Sequence, residues 1–246
     1  MTTLGIIPGR KGSLRLLDKH HIRLLGKPMF AYAIEAALRA TRLDRVVVSS
    51  DDPELAAMAS RYGLEFIERP PDLAVDTAPV DDALRHVCRT LQERDGFRAN
   101  LVLAMQGNVP VRKEGQIDEV VERLERLVAA TAVCTAQVQH FRPEWAKIIS
   151  NEQTGECAPY ISADRGFRTQ DYAPIYVMDG AIYGVRFDTL HATAGNRATH
   201  AWFGPRLHLL VQDESMYSLE VDYPDQVTLA ECYLRLQAER AVTARA

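Results

Sequence analysis

No stretch of the chain is apolar over the roughly 20 residues that a membrane-spanning helix requires. The N-terminus also lacks the basic segment followed by an apolar stretch that marks a secretory signal peptide. Acidic residues outnumber basic ones and give a net charge of −4, which excludes a nucleic-acid-binding surface built on bulk positive charge. We therefore expect a cytoplasmic enzyme with neither a membrane nor a nucleic acid as its partner.

Cysteine is sparse and scattered. The four cysteines form no Cys-x-x-Cys pair and no His-x-x-x-His accompanies them, so the sequence offers no zinc site of common spacing. Internal repeats and low-complexity segments are also missing. The 246 residues suffice for one large α/β domain, and we interpret residues 1–246 as a single domain.

Short apolar runs alternate with stretches of helical periodicity along most of the chain. The βαβαβ order that results favours a mostly parallel sheet covered by helices on both faces. The predicted strands cover residues 4–7, 46–49, 65–67, 101–105, 132–139, 181–185 and 207–211. The predicted helices lie after Pro28, after Asp52, after Thr77, along the stripe of Ile117, Val120, Val121, Leu124 and Val128, and from Pro224 to Leu234.

This alternation stops between residues 141 and 178, where proline, aromatic and polar residues dominate. We interpret residues 141–178 as an insertion within the domain. Its aromatic residues fit either an interface core or a surface layer over the protein core. They are Phe141, Trp145, Tyr160, Phe167, Tyr172 and Tyr176.

The first predicted strand runs into a loop of small and basic residues. After Pro8, Gly9 and Gly12 allow a close backbone approach, and free N–H groups in such a loop point toward an anion. The loop also carries charge and a hydroxyl donor, from Arg10, Lys11, Ser13, Arg15 and Lys19. It matches neither Gly-x-x-x-x-Gly-Lys-Ser/Thr nor Gly-x-Gly-x-x-Gly. The loop therefore predicts a phosphate-chain site of a third kind, with a solvated basic turn as the alternative.

Two acidic residues precede the last predicted helix. Glu220 and Asp222 alternate on an extended segment, so both carboxylates can face one cation. Mg²⁺ takes few protein carboxylates and fills its coordination sphere with phosphate oxygens and water, so the pair suits a magnesium-bound nucleotide. A helix cap ahead of Pro224 is the alternative. If the first interpretation holds, the basic loop and the acidic pair meet on one triphosphate.

Polar residues also leave the strand at 101–105. The carboxamide of Gln106 can donate and accept hydrogen bonds at once, which suits the hydroxyls of a polyhydroxy acid. Arg112 is either structural or near phosphate. An ordinary β–α loop is the alternative for the whole segment.

These segments resemble the acylneuraminate cytidylyltransferases, the CMP-sialic acid synthetases. Residues 7–15, Ile-Pro-Gly-Arg-Lys-Gly-Ser-Leu-Arg, match a family pattern of roughly Ile-Pro-Ala-Arg-Gly-Gly-Ser-Lys-Arg, and further matches extend over nearly the whole chain. The resemblance implies a Rossmann-like, GT-A-like nucleotidyltransferase sheet sandwiched by helices. It also implies Mg²⁺-dependent transfer of CMP from CTP to a 2-keto-3-deoxy sugar acid with release of pyrophosphate, and a homodimer formed through the insertion.

The resemblance also implies roles for individual residues. Catalysis is expected of Arg10, Lys19 and Asp222, and metal binding of Asp222 and Glu220. The expected nucleotide-binding residues are Pro8, Gly9, Arg10, Gly12, Ser13, Arg15, Lys19, His20, Arg69 and Ala78. The expected acceptor-binding residues are Gln106, Lys147, Arg168, Gln170 and Tyr183.

The chain departs from the family pattern at several positions. Leu14 replaces a lysine, Glu220 an aspartate and Asp179 an asparagine, and the Gln106 loop loses a Pro-Thr-Ser core. His20 replaces an asparagine, and with its neighbour it could contact ribose or phosphate or form a surface pair. These departures leave open a Kdo-type or phosphonate acceptor, or a nucleotide-binding protein without turnover. A GT-A glycosyltransferase would also pair such a sheet with an acid-x-acid site, but it requires a nucleotide-sugar donor.

Overall fold

A computed structural model describes residues 1–161, 168, 172–212 and 218–243, with backbone alone for residues 241–243. Two residues singled out in the sequence, Phe167 and Gln170, lie outside the described residues. Within the described ranges, no helix combines the length and the apolar character needed to cross a bilayer.

The strands and helices alternate along the chain as the periodicity predicts. The strands are β1 (Thr3–Pro8), β2 (Arg23–Leu24), β3 (Lys27–Pro28), β4 (Arg45–Ser50), β5 (Glu65–Glu68), β6 (Leu101–Ala104), β7 (Ala132–Gln139), β8 (Lys147–Asn151), β9 (Glu156–Pro159), β10 (Ile175–Arg186) and β11 (Leu207–Val211). The α-helices are α1 (Met29–Arg39), α2 (Pro53–Arg61), α3 (Val80–Asp95), α4 (Gln116–Arg126), α5 (Phe187–Ala192) and α6 (Pro224–Thr243).

Among the described residues, seven strands form the central sheet in the order β11-β7-β10-β6-β1-β4-β5. All neighbours pair in parallel except β10, which runs antiparallel to both β6 and β7. The predicted mostly parallel α/β sheet is therefore confirmed. Because parallel strands end at the same edge, the loops that follow β1, β4 and β6 lie close together.

Helices cover both faces of this sheet. Strand β1 is buried along its whole length, and its side chains alternate between the two faces. Ile7 packs in the cluster that holds α1, α2 and α4, whereas Leu4 and Ile6 pack in the cluster that holds α3 and α5. Two cores separated by one sheet are the arrangement that the βαβ pattern favours.

The termini of α2 and α4 show how local chemistry sets helix boundaries. Asp52 caps α2 by accepting a hydrogen bond from the Glu54 N–H at 2.9 Å, with Pro53 in the first turn, so the helix begins after Asp52 as the sequence predicts. Helix α4 ends at Arg126, and the side chain of Val128 is 76% exposed. The assignment of Val128 to the buried stripe of α4 is therefore wrong, because the chain has already left the helix.

The segment predicted as an insertion contains an exposed hairpin. In the described part of the chain, strands β8 and β9 pair with each other alone, in a separate two-stranded sheet. Strand β10 begins at Ile175, earlier than the predicted strand at 181–185, and its first residues pair with β7 in the central sheet. A register shift between Met178 and Tyr183, at Gly180 with φ 74°, interrupts the apolar pattern from which the strand was predicted.

Candidate active site

The loop after β1 folds tightly against the ends of the neighbouring elements. Pro8 is the last residue of β1, and the Gly9 N–H donates to the Ser49 carbonyl at 3.0 Å. A Cβ at Gly9 would lie 2.8 Å from a ring carbon of Phe30, so only glycine fits there. Gly12 has φ 73° and open space around it. The two glycines therefore serve different purposes, a close approach and a turn.

The basic side chains of this loop pair with acids from distant parts of the chain. The Arg10 guanidinium pairs with Asp76 and also donates to the Gly12 carbonyl at 3.1 Å. Lys19 Nζ lies 2.8 Å from one carboxylate oxygen of Asp222, and Arg15 Nη2 lies 3.1 Å from the other. The structure thus brings together the basic loop and the acidic segment before α6, which are 203 positions apart at Lys19 and Asp222.

Asn108, which sequence reasoning missed, connects the two acids. Its side-chain amide donates to Glu220 Oε1 at 3.2 Å and to Asp222 Oδ1 at 3.0 Å. Its own carbonyl accepts from the Val221 N–H at 2.8 Å, which fixes the acidic segment against the loop after β6. A neutral donor between two carboxylates reduces their repulsion without adding a charge. The only sequence signal was the position of Asn108 in the Gln106 loop.

The two acids have opposite electrostatic environments. Burial acts to raise the pKa of Asp222, but the hydrogen bond and charge of Lys19, together with Arg15, outweigh it and lower the pKa. Glu220 is exposed, yet desolvation of its carboxylate, followed by the charge of Asp222, raises its pKa. Asp222 is thus the more firmly ionised of the two carboxylates.

A cavity of about 600 Å³ opens beside the basic loop, beyond the end of β5. Arg69 lines it and is itself buried, with Nη2 donating to the Ser49 carbonyl at 3.0 Å. Burial lowers the pKa of Arg69 to about 10, which leaves it positively charged at neutral pH. Ala78 closes the following turn, with its N–H donating to Val75. Arg69 and Ala78 thus follow β5, in a segment separate from the basic loop that carries the other expected nucleotide-binding residues.

Arg112 is structural, which decides between the two interpretations of this residue. It is buried and donates to the carbonyls of Gln106, Val109 and Ala181. Burial lowers its pKa to about 9. Three carbonyls compensate the buried guanidinium and hold the backbone of the loop after β6. The Gln106 side chain is partly exposed, and its acceptor role stays a prediction.

The expected acceptor residues lie on different elements of the chain. Lys147 lies on the exposed strand β8 and Arg168 is exposed, and among the described residues neither is hydrogen-bonded or ion-paired to Asp222. Tyr183 packs against Trp202 and Phe203, with ring centroids 5.9 Å and 5.5 Å away, and burial raises its pKa. Its position is that of an aromatic residue in the α3 and α5 core.

Asp179 does not add charge to a ligand surface. It is buried and accepts from the Thr135 hydroxyl at 2.5 Å, from the Ala181 N–H at 2.9 Å, and from the side-chain amide of Gln212. Burial raises its pKa. The departure from asparagine at this position is therefore accommodated within the protein by donors that a carboxylate needs.

His20 is buried, so the surface histidine pair is wrong. Its ring meets the ring of Phe30 edge-on at 5.2 Å, and Nδ1 has no hydrogen-bond partner in the described part of the chain. Burial, followed by the charge of Lys19, lowers the pKa of His20 to about 3. His21 instead reaches Asp52, at 2.7 Å from Nε2 to Oδ2, which ties the loop to the cap of α2. A neutral His20 thus acts as an apolar support beneath Lys19.

The low pKa of His20 predicts a loss of stability in acid. Between pH 6.5, its ordinary pKa, and about 3, the unfolded chain binds a proton that the folded chain excludes. The free energy of unfolding should therefore fall as pH drops below 6.5, by up to about 1.4 kcal/mol per pH unit from this group. Urea unfolding of His20→Gln between pH 4 and 7 should show a shallower slope than the unmodified protein.

The exposed His208 supplies the control. His208→Gln should keep the pH slope of the unmodified protein. Equal slopes for His20→Gln and the unmodified protein would mean that His20 takes up its proton while the protein is folded.

The chain is similar to known proteins over most of its length. A family model described as cytidylyltransferase matches residues 4–186. The CMP-N,N'-diacetyllegionaminic acid synthase of Legionella pneumophila is 30% identical over 243 residues, which cover 98% of this chain and 100% of that protein. The pseudaminic acid cytidylyltransferase of Campylobacter jejuni is 40% identical over 187 residues, which cover 74% of this chain and 78% of that protein.

A solved structure shares the fold. It is titled as CMP:2-keto-3-deoxy-manno-octonic acid synthetase complexed with CTP, and it matches with a TM-score of 0.69 at 17% identity, covering 96% of this chain and 100% of that chain. The family model spans most of the present chain, and the Legionella alignment spans nearly all of it. This chain therefore belongs to the cytidylyltransferase family.

Proposed function

We propose that the protein uses CTP to convert a 2-keto-3-deoxy sugar acid, a sialic acid or a related nonulosonic acid, into its CMP-sugar. The observation that carries this proposal is the contact of Arg15 and Lys19 with Asp222, beside Glu220. A triphosphate requires cations, and the magnesium that accompanies it requires carboxylates. The names of the Legionella and Campylobacter relatives, a legionaminic and a pseudaminic acid enzyme, support a nonulosonic acceptor.

In the proposed reaction the anomeric hydroxyl oxygen of the sugar acid attacks the α-phosphorus of CTP. A new P–O bond forms, the bond between the α-phosphorus and its bridging oxygen breaks in line, and pyrophosphate leaves with the electron pair. The hydroxyl proton passes to solvent or a base. Arg10, Arg15 and Lys19 would stabilise the phosphate charge and Ser13 would donate a hydrogen bond, so rate enhancement comes from positioning and charge neutralisation.

The acidic pair fits Mg²⁺. Asn108 holds Glu220 and Asp222 on one side of the extended segment, and two carboxylates are as many as magnesium usually takes beside phosphate oxygens. Groups of three or more His, Cys, Asp or Glu with metal-binding geometry are absent from the described residues. Asp222, with Glu220, would hold the ion, which would neutralise charge on the triphosphate.

The acceptor is proposed to lie beside Gln106, with Lys147 and Arg168 available to a sugar carboxylate. A Kdo-type acid or a phosphonate is the second candidate. The observation that favours it is the Gln106 loop itself, in which Gly107, Asn108 and Val109 replace the Pro-Thr-Ser core of the sialic acid synthetases. This loop would contact the part of the acceptor that differs between the two candidates.

We further propose a homodimer formed through the segment at 141–178. Large apolar side chains are exposed there, including Phe141 at 62%, Ile149 at 62% and Trp145 at 49%. Among the described aromatic residues of this segment, Tyr172 is the exception, since it is buried and packs with Arg142. Exposed aromatic and aliphatic residues grouped in one segment are typical of an interface core.

The reaction itself is tested with CTP, Mg²⁺ and a panel of sialic, legionaminic, pseudaminic and Kdo-type acids. Pyrophosphate should be released with one of the nonulosonic acids faster than with Kdo, and Lys19→Met should reduce kcat by about 100-fold or more. Faster turnover of Kdo would replace the first candidate by the second. Tight CTP binding without pyrophosphate from any acid would instead indicate a protein that binds nucleotide without turnover.

Removing the amide between the two acids should impair the metal-dependent reaction. Asn108→Leu keeps the side-chain size but leaves Glu220 and Asp222 without their shared donor. We expect kcat/KM to fall by about 10–100-fold and the Mg²⁺ concentration for half-maximal rate to rise. Asn196→Leu, on an exposed turn, should leave both quantities unchanged. Unaltered magnesium dependence in Asn108→Leu would refute the positioning role.

The interface is tested by light scattering. The unmodified protein should have about twice its chain mass of 27.5 kDa, and Ile149→Lys should have the mass of one chain because it places a charge among apolar side chains. Val128→Lys alters a residue that is 76% exposed outside the segment and should remain dimeric. A dimer that survives Ile149→Lys would place the interface elsewhere.

A further inference from the structure

The cavity beside the basic loop has polar walls of opposite charge. Asp51 and Glu68 contribute carboxylates, Arg69 contributes a guanidinium, and His86 lies on the α3 side. Prolines and an alanine complete the lining. A flat ring with acceptors on one side and a donor on the other would complement such a cavity.

A hydrogen bond from the basic loop fixes the carboxylate of Asp51 in place. Oδ1 accepts a hydrogen bond from the Lys11 N–H at 2.9 Å, which joins Asp51 to the basic loop. The next residue, Asp52, caps α2, so the backbone here is constrained as well. For Oδ2 of Asp51, no hydrogen bond or ion pair occurs within the described ranges of the chain. Asp51 therefore presents a positioned acceptor.

Arg69 provides the donors of the same cavity. Its Nη2 is occupied by the Ser49 carbonyl at 3.0 Å, whereas Nε is buried without a partner and Nη1 makes no hydrogen bond to any described residue. The charge of Asp51 acts on Arg69 directly, although burial has the larger effect on its pKa. The two side chains thus offer an acceptor, Asp51 Oδ2, and an unused donor, Arg69 Nη1, within one cavity.

The other polar residues of the cavity, His86 and Glu68, leave Asp51 as its acceptor and Arg69 as its donor. Burial, followed by the charge of Arg89, lowers the pKa of His86, so the imidazole is neutral at physiological pH and brings no cation near Asp51. Glu68 is exposed, which places its carboxylate toward solvent. Asp51 is consequently the acidic group best placed to contact a bound ring.

We propose that Asp51 selects cytosine over uracil by accepting a hydrogen bond from the exocyclic amine of the base, while Arg69 donates to its ring acceptors. Cytosine carries two acceptors, O2 and N3, next to the amine at C4. Uracil carries a carbonyl at C4, which would face the carboxylate and leave it without a donor. A site whose half-buried carboxylate loses its donor in this way discriminates against the wrong base. This inference depends on the proposed use of CTP.

Asp51→Asn provides a direct test because it changes only the chemistry of the group. Its amide oxygen can still accept from Lys11, and its NH₂ group then faces the cavity as a donor suited to the uracil carbonyl. Calorimetric binding of CTP and UTP, with Mg²⁺ and without any sugar acid, should show a CTP preference in the unmodified protein. The preference should fall by about 10–100-fold in Asp51→Asn, mainly through weaker CTP binding.

Asp188→Asn is the matched control, since it makes the same chemical change at an exposed position of α5 that does not line the cavity. It should keep the CTP preference. A third nucleotide, the triphosphate of pyrimidin-2-one riboside, lacks the amine and should bind the unmodified protein more weakly than CTP. This nucleotide series tests the role of Asp51 even if Asp51→Asn does not fold.

The possible results are distinguishable. A folded Asp51→Asn that retains the CTP preference, or an unmodified protein that binds CTP and the pyrimidin-2-one nucleotide equally, would overturn the role of Asp51 while leaving cytidylyl transfer intact. Failure of the unmodified protein to bind CTP at all would overturn the proposed function together with this inference.

Discussion

The side chain of Phe30 limits how the loops of the site can approach one another. It is fully buried at the start of α1. A Cβ at Gly9 would lie 2.8 Å from this ring and a Cβ at Gly107 2.3 Å from it, and the ring of His20 contacts its edge. Any larger residue at either glycine would push the loop after β1 or the loop after β6 away from the sheet. The close approach of these two loops therefore depends on one aromatic residue and two glycines.

This packing determines which charges meet. Once the two loops lie side by side, Lys19 from one and Asn108 from the other both reach Asp222. Lys19 lowers the pKa of that carboxylate, whereas desolvation and the neighbouring charge raise the pKa of Glu220. Packing of apolar groups thus produces an electrostatic difference between two acids that are chemically almost identical. Such differences commonly mark functional sites.

Local sequence predicted the elements better than the contacts between them. The start of α2 after Asp52 and the strand at 132–139 follow from the identities of neighbouring residues, so both were predicted from the sequence. The assignment of Val128 to α4 was wrong because a periodic apolar pattern does not reveal where a helix ends. The structural role of Arg112 could be assigned only from its burial. The role of Asn108 could be assigned only from its hydrogen bonds to residues more than 110 positions away. These contacts depend on the order of the strands, which no local pattern contains.

The proposed role of Asp51 connects base recognition to phosphate binding. One oxygen of its carboxylate holds the backbone of Lys11 in the basic loop, and the other is available to the base. A base that satisfies the second oxygen would stabilise the orientation of the whole carboxylate, and with it the loop that carries Arg10 and Ser13. A wrong base would leave that carboxylate poorly paired beside the triphosphate. Discrimination between bases would then affect the positioning of the reacting phosphate as well as affinity, which is how binding energy contributes to catalytic specificity.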